Sequence, residues 1–223
     1  IMALTKFNFN SFDVTSAASK GLGFNASANG FSTIDPGAMT LIKTLTASSS
    51  ATLSFVHGSS DVVFDNTYPV YMFKFIDIHP SGSNPHLQFN MSIDTGSNYN
   101  VTKTSSFIVS YHLESTGATT LGYDTGFDLA QSTNFQSINP KIGGGSDESG
   151  CGTLTIFNPS STTFVKHFMF SGVTHSYSSF PASYRNLVAG YGNTTSAVDA
   201  VQFKMDSGDI DAGTIKLYGI KDS

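Results

Sequence analysis

Apolar and polar residues alternate in many short segments of the chain from Met39 onward. Leu87, Phe89 and Met91 share one face of such a segment, and the residues between them are polar. A period of two predicts a β-strand with one buried face. Residues 70–78 are apolar at both odd and even positions, as expected for a strand that is covered on both sides.

Roughly ten segments of this kind are separated by turns rich in Gly, Asn, Asp and Ser. This spacing is typical of a β-sandwich or a jelly roll. Only residues 128–135 could form a short helical turn, and no fixed repeat indicates a propeller or a solenoid. We therefore predict an all-β chain in which residues 39–223 form a single jelly-roll-like antiparallel β-sandwich.

The first 38 residues show a different pattern. Phe7, Phe9 and Phe12 alternate with small polar residues, a Gly-rich segment follows, and residues 35–37 give a strong turn signal. So short a segment cannot enclose three phenylalanines in a core of its own. We predict that residues 1–38 form an extended arm for attachment or oligomerisation. Its phenylalanines would pack on the main domain or on another chain, where an extended segment can pair with a sheet edge.

The charge balance argues against several classes of function. The chain has 223 residues with 11 Lys and Arg against 16 Asp and Glu, which gives a net charge of -5. Arg185 is the only arginine, so a nucleic-acid or anionic-membrane surface is not expected. No apolar run approaches the ~20 residues of a membrane span, and no export signal is visible. The single cysteine, Cys151, excludes an internal disulfide and cysteine-based zinc sites.

Residues 92–99 have the sequence SIDTGSNY, which resembles an Asp-box, the S-x-D-x-G-x-x-aromatic hairpin turn of many β proteins. In such a turn Asp94 can accept backbone hydrogen bonds, Gly96 can adopt a positive φ and Tyr99 can pack beneath. The chain has one copy of this motif. We interpret it as a structural turn, without evidence of glycosidase activity.

No other motif predicts a metal, a cofactor or an active site. Residues 206–211 include three aspartates that could hold a calcium ion, although acidic turns between hydrophobic strands are a common aid to solubility. The six histidines show no metal-binding spacing, and no G-x-S-x-G elbow is present. The glycine run at 143–145 continues into acidic residues, so we interpret it as a mobile loop. We expect no enzymatic activity, no catalytic or metal site and no cofactor.

Exposed aromatic residues are a further possible source of function. Tyr177, Tyr184 and Arg185 lie in an aromatic-rich segment around Pro181. Aromatic rings on the loops of a β-sandwich can stack on sugar faces while polar neighbours bind the hydroxyls. Trp, the strongest such platform, is absent. These three residues are a candidate ligand-facing loop, and packing in the core or between subunits is the favoured alternative.

Six segments distributed over most of the chain share a recognisable type. They are MALTKFNFN at 2–10, ASANGFST at 26–33, FIDIHP at 75–80, AQSTNF at 130–135, FNPSSTT at 157–163 and GTIKLYGI at 213–220. These segments resemble the virion structural proteins of tailed bacteriophages, particularly marine ones. The motifs are structural and have no assigned chemistry.

The resemblance implies a non-enzymatic tail-fibre, receptor-binding or capsid-decoration protein, made in the host cytoplasm and located on the virion. It implies a homo-oligomer, a trimer by analogy with fibre proteins, that contacts other virion proteins and neither nucleic acid nor the membrane interior. The alternative is a carbohydrate-binding module that serves as the host-recognition tip, with a host-surface glycan as its partner. A glycan depolymerase or esterase is the third hypothesis.

Overall fold

The computed structural model describes residues 21–25, 27–34, 37–177 and 179–221. The chain divides into two compact units, with a boundary between Thr40 and Leu41. Every regular element in these residues is a strand, and they contain no helix that could cross a membrane. The strands are β1 Gly21–Phe24, β2 Phe31–Ile34, β3 Met39–Thr46, β4 Leu53–Val56, β5 Val70–Pro80, β6 Leu87–Ser92, β7 Lys103–Leu113, β8 Thr119–Tyr123, β9 Gln136–Asn139, β10 Gly150–Phe157, β11 Lys166–His175, β12 Ala182–Gly192, β13 Ala200–Met205 and β14 Ile210–Ile220.

The smaller unit contains a two-stranded antiparallel hairpin formed by β1 and β2. The rings of Phe24 and Phe31, which face each other across the hairpin, stack with their centroids 5.2 Å apart. Phe7, Phe9 and Phe12 lie outside the described residues, so their role in an assembly arm stays a prediction.

The larger unit is an antiparallel β-sandwich. One sheet has eight strands in the order β3-β14-β5-β10-β11-β12-β7-β8, and the other has four in the order β4-β13-β6-β9. The inward residues of both sheets form one buried hydrophobic cluster. The predicted all-β antiparallel sandwich is confirmed.

Aromatic rings from alternate strand positions fill the space between the two sheets. The ring of Phe203 on β13 lies 5.1 Å from the rings of both Phe73 and Phe75 on β5, with edge-to-face geometry in each pair. Phe89 on β6 makes the same kind of contact with Phe168 on β11 at 5.0 Å. These pairs join the sheets, and such geometry stabilises a core beyond the area that the rings bury. Each inward ring also places its strand neighbours on an outer face.

The prediction of about ten strands is too low, and β12 shows why. From Ala182 to Ala189 this strand alternates between buried and exposed residues, with Tyr184 and Val188 inward. Asn186 lies between them and is also buried, so a polar residue interrupts the apolar face. An alternation test based on hydropathy therefore misses the strand.

Residues 128–135 do not form the helical turn that the sequence left open. Ser132 pairs with Lys103 through backbone hydrogen bonds in both directions, which holds this segment extended against the start of β7. Gln131 adopts a φ of 47°, which no right-handed helical turn permits.

Because Phe203 contacts rings from several strands, truncating it should test the core. We expect Phe203→Ala to lower the free energy of unfolding by about 3–5 kcal/mol, since it leaves a cavity between the sheets. Urea denaturation monitored by circular dichroism measures this change. Leu121→Ala is the control, because the Leu121 side chain is 78% exposed and its loss should change stability by less than about 0.5 kcal/mol. Equal effects of the two substitutions would contradict this account of the core.

Candidate functional site

The outer face of the four-stranded sheet contains a row of three polar residues. Lys204 on β13 pairs in register with Gln88 on β6, and Gln88 pairs with Ser137 on β9. Phe203 and Phe89, the strand neighbours of this row, point into the core and are fully buried. The row therefore forms a polar strip on the opposite face of the sheet.

This polar strip is the floor of a groove of about 490 Å³. Two short segments of the β8–β9 connection form the facing wall, and residues that precede β6 and follow it complete the rim. The lining residues are His86, Gln88, Tyr99, Gly126, Phe127, Asp128, Leu129, Thr133, Asn134, Phe135, Ser137 and Lys204.

Aromatic rings form much of the groove wall. Phe127 packs against the core residue Phe107 at 5.2 Å and meets the His86 ring edge-to-face at 4.9 Å. The Nζ of Lys204 lies 4.4 Å from the centroid of the Phe135 ring, a cation–π distance. The rings are thus fixed by the core on one side and by the polar floor on the other.

The wall at Tyr99 is built by the turn at residues 92–99, and the predicted turn mechanism is confirmed. Asp94 accepts hydrogen bonds from the backbone N–H and the side-chain amide of Asn98, at 2.9 and 2.7 Å. These bonds, the side-chain one foremost, hold the pKa of Asp94 below its usual value. Gly96 has a φ of 77°, and a Cβ there would lie 2.8 Å from the Tyr99 hydroxyl oxygen. The turn therefore needs glycine at this position.

A buried amide behind the groove ties two of its walls together. The Nδ2 of Asn90 donates to the carbonyl oxygens of Tyr99 and Thr133, at 2.8 and 2.9 Å. Its Oδ1 accepts a 2.6 Å hydrogen bond from the Nζ of Lys103, which also donates to the carbonyl oxygen of Val101. Burial lowers the pKa of Lys103 to about 7. Lys103 and Asn90 thus position the wall segments without entering the groove.

Ser137 is the unusual member of the floor. It is only 6% exposed, and its hydroxyl has no hydrogen-bond partner in the described part of the chain. A buried hydroxyl without a partner costs about 1–3 kcal/mol. The hydroxyl oxygen itself has almost no accessible surface, so a molecule in the groove does not reach it, and this cost belongs to the packing of the floor.

The charges around the groove are mixed in sign. Asp128 accepts a 2.7 Å hydrogen bond from the Tyr123 hydroxyl, and Lys204 supplies a positive charge on the floor. Burial lowers the pKa of His86, an effect that the nearby Asp206 carboxylate partly opposes. His86 is therefore mainly neutral near pH 7. Such a lining suits an uncharged polar molecule better than a polyanion.

The structure does not bring the predicted ligand-facing residues together on one loop. Tyr184 and Arg185 are neighbours in β12, so their side chains lie on opposite faces of the eight-stranded sheet. Tyr184 is buried and stacks on Tyr111 at 4.9 Å, whereas Arg185 is exposed. Tyr177 is half-buried and stacks with Phe180. None of the three predicted residues lines the groove.

Two carboxylates of the acidic turn at 206–211 accept hydrogen bonds from residues of other segments. Asp206 accepts a hydrogen bond from the backbone N–H of His86, and Asp211 accepts one from the Ser49 hydroxyl. Within the ranges that the structure describes, no group of three His, Cys, Asp or Glu residues is placed to hold a metal ion. Calcium binding at this turn stays an open hypothesis from the sequence.

The glycine run at 143–145 forms a hydrogen-bonded turn, and the mobility that the sequence predicts for it stays a prediction. Gly145 donates its backbone N–H to the carboxylate of Glu148 at 2.6 Å, and Gly143 donates to the carbonyl oxygen of His175. Glu148 is buried, and any Cβ at Gly143 would clash with its carboxylate. The glycines therefore make room for a buried acidic side chain.

Comparisons with known proteins give little guidance. No family model matches the chain, and no curated protein matches it. One solved structure, the CBM2 module of the evolved Dit of Lactobacillus casei BL23 phage J-1, aligns with 96% of this chain and 85% of its own. The identity is 10% and the TM-score is 0.22, a value too low to support a shared fold or function.

The buried Lys103 should make stability depend on pH. Its pKa falls from 10.5 in the unfolded chain to about 7 in the folded one, so the unfolded state binds more protons between these values. Stability should therefore rise as the pH increases from 7 to 10. The lowered pKa of Lys166 adds to the same trend.

Urea denaturation at several pH values measures this dependence. Lys103→Met should reduce the slope of unfolding free energy against pH, whereas the half-buried Lys216→Met should keep the wild-type slope. An unchanged slope in Lys103→Met would show that the amine is not desolvated in the folded protein.

Proposed function

We propose that the protein is a non-enzymatic module of a phage particle that binds a neutral saccharide in the groove on its four-stranded sheet. The observation that supports binding most directly is the groove itself, in which polar side chains of the floor lie beside aromatic side chains of the wall. A saccharide presents many hydroxyls, and each can donate and accept a hydrogen bond. These hydroxyls can bond to the amides of Gln88 and Asn134 without the desolvation of a charge.

The other lining residues suit the same class of ligand. A pyranose ring has apolar C–H faces and a polar rim, so it needs both ring contacts and hydrogen bonds. Phe127, Phe135 and Tyr99 provide aromatic surface, while Gln88 and Asn134 provide amide donors and acceptors. The volume of about 490 Å³ lies within the ~300–1,000 Å³ of typical ligand sites. This combination supports a saccharide over a purely apolar ligand.

The particle context is supported by the sequence resemblance to virion structural proteins. A β-sandwich with a large aromatic core and a single cysteine gains its stability without disulfides, as a protein folded in a reducing cytoplasm must. A binding groove on such a module fits the host-recognition part of a particle. The role as a tail-fibre, receptor-binding or decoration protein stays part of this proposal.

Glycan-array screening followed by calorimetry with the best neutral oligosaccharide tests the binding proposal. Gln88→Ala should weaken binding about tenfold, because a hydrogen bond is worth about 1–1.5 kcal/mol. Gln202→Ala is the matched control. Gln202 shares the outer face of β13 with Lys204 but lies outside the groove, where its side-chain amide donates a hydrogen bond to the Ser54 hydroxyl. Ser137→Ala should stabilise the unliganded protein, since it removes an unpartnered hydroxyl, and should leave binding unchanged, because that oxygen is out of reach of the groove. No binding to any glycan, or equal effects of the two glutamine substitutions, would reject the saccharide proposal.

The particle assignment needs its own test. We expect antibodies against the protein to label the surface of a tailed phage that encodes it, at repeated positions on the tail or the head, in negative-stain images. Labelling confined to lysed host material, with clean particles, is the result that would refute this part. The outcome does not depend on whether the groove binds sugar.

A further inference from the structure

The outer face of the eight-stranded sheet has a different character from the groove. In this face β10, β11, β12, β7 and β8 present their exposed residues in two neighbouring rows. One row runs through Thr155, Met169, Ala189 and Ser106, and the other through Thr153, Ser171, Leu187, Ile108 and Tyr123. Neither row contains a charged side chain. We call these two rows the sheet face.

The sheet face exposes more apolar surface than an isolated domain needs. Met169 is 57% exposed, and Ile108, Leu187 and Tyr123 are each more than a third exposed. Phe157, Val173, Ile76 and Leu121 extend the exposed apolar area along the same sheet. Exposed apolar patches of more than a few hundred Å² mark interaction sites in soluble proteins.

The area is sufficient for a stable contact. With the apolar residues that extend it, from Ile76 on β5 to Leu121 on β8, the exposed area covers six strands; neighbouring strands lie about 4.8 Å apart, so these six span about 25 Å. Six residues along each strand add about 20 Å, which gives a footprint of about 500 Å². Two such surfaces together bury about 1,000 Å², the lower limit for a specific protein interface.

The sheet face combines a protruding side chain with hollows on either side of it. The Met169 side chain stands between two hollows of about 360 and 590 Å³, both of which it helps to line. The small residues Ala189 and Ser106 line both hollows. A two-fold rotation can therefore place Met169 of each copy over a hollow of the other, because a two-fold interface uses the same patch twice.

The polar atoms of the sheet face do not oppose burial. The Ser106 hydroxyl donates to the carbonyl oxygen of Ala189 at 3.3 Å, so it already has a partner within the face. Because the two rows contain no charged side chain, they favour neither an acidic nor a basic partner. Lys74 continues the second row onto β5, at the margin of the face, and Arg185 lies one outward position further along β12 than Leu187; both long side chains can keep their charged ends in water when the centre is covered.

We propose that a second copy of this chain covers the sheet face, giving a two-fold dimer in which the eight-stranded sheets pack against each other. The groove lies on the opposite side of each sandwich, so the dimer leaves both grooves open. Two open grooves allow two ligands to be bound at once, which raises avidity on a surface with repeated glycans. The proposal does not depend on the identity of the groove ligand.

Sedimentation equilibrium of the full chain at micromolar concentrations tests the dimer. The wild-type protein should give twice the monomer mass, and Met169→Lys should weaken association at least tenfold. Ala189→Arg, which fills a hollow, should have the same effect. Ile93→Lys is the control, because Ile93 is a similarly exposed apolar residue that follows β6 on the other sheet. The Ile93→Lys variant should dimerise normally. Unchanged melting temperatures would show that all three variants fold.

Four results would overturn the proposal. A wild-type monomer would show that the sheet face is unpaired in solution, and a trimer would favour the symmetry implied by the resemblance to fibre proteins. A dimer that survives Met169→Lys and Ala189→Arg would place the contact elsewhere. Deleting residues 2–38 should leave the dimer intact, so its loss would assign association to the N-terminal arm.

Discussion

The edge-to-face contacts of phenylalanines between the two sheets are the interaction on which the rest of the structure depends. Phe203 meets Phe73 and Phe75 across the sandwich, and Phe89 meets Phe168. A ring that points inward forces the next residue of its strand outward. The aromatic core therefore decides which side chains reach each outer face, and a shift of one residue in any of these strands would exchange the two sets.

The groove follows from this constraint, but it also needs polar groups in the interior. The inward rings of β6 and β13 place Gln88 and Lys204 on the outside, and Asn90 then fastens the wall segments above them. Lys103 donates a hydrogen bond to Asn90, and burial of its amine away from water is the cost of that contact. A methionine at this position would avoid that cost and would leave the Asn90 side-chain oxygen with the Met91 backbone N–H as its remaining donor. The buried lysine is thus explained by the wall that it positions.

Sequence reasoning predicted the all-β sandwich and the turn at 92–99, because both depend on local alternation and on nearest neighbours. It missed β12, where the buried Asn186 breaks the apolar pattern, and it grouped Tyr184 with Arg185 although their side chains point to opposite faces. It also missed the groove. The floor of the groove takes one residue from each of three strands that are distant in sequence, and only their pairing register brings those residues together.

The two outer faces show how one alternation rule produces two kinds of surface. On the four-stranded sheet the outward residues are polar, and a connection folds over them to form a wall. On the eight-stranded sheet the outward residues near Met169 are apolar or small, and they remain uncovered within the described chain. A polar floor beneath a wall calls for a small polar ligand, because only such a ligand fits between them and bonds to the floor. A broad neutral face with a protruding methionine calls for another broad neutral face, and a second copy of the same sheet provides one.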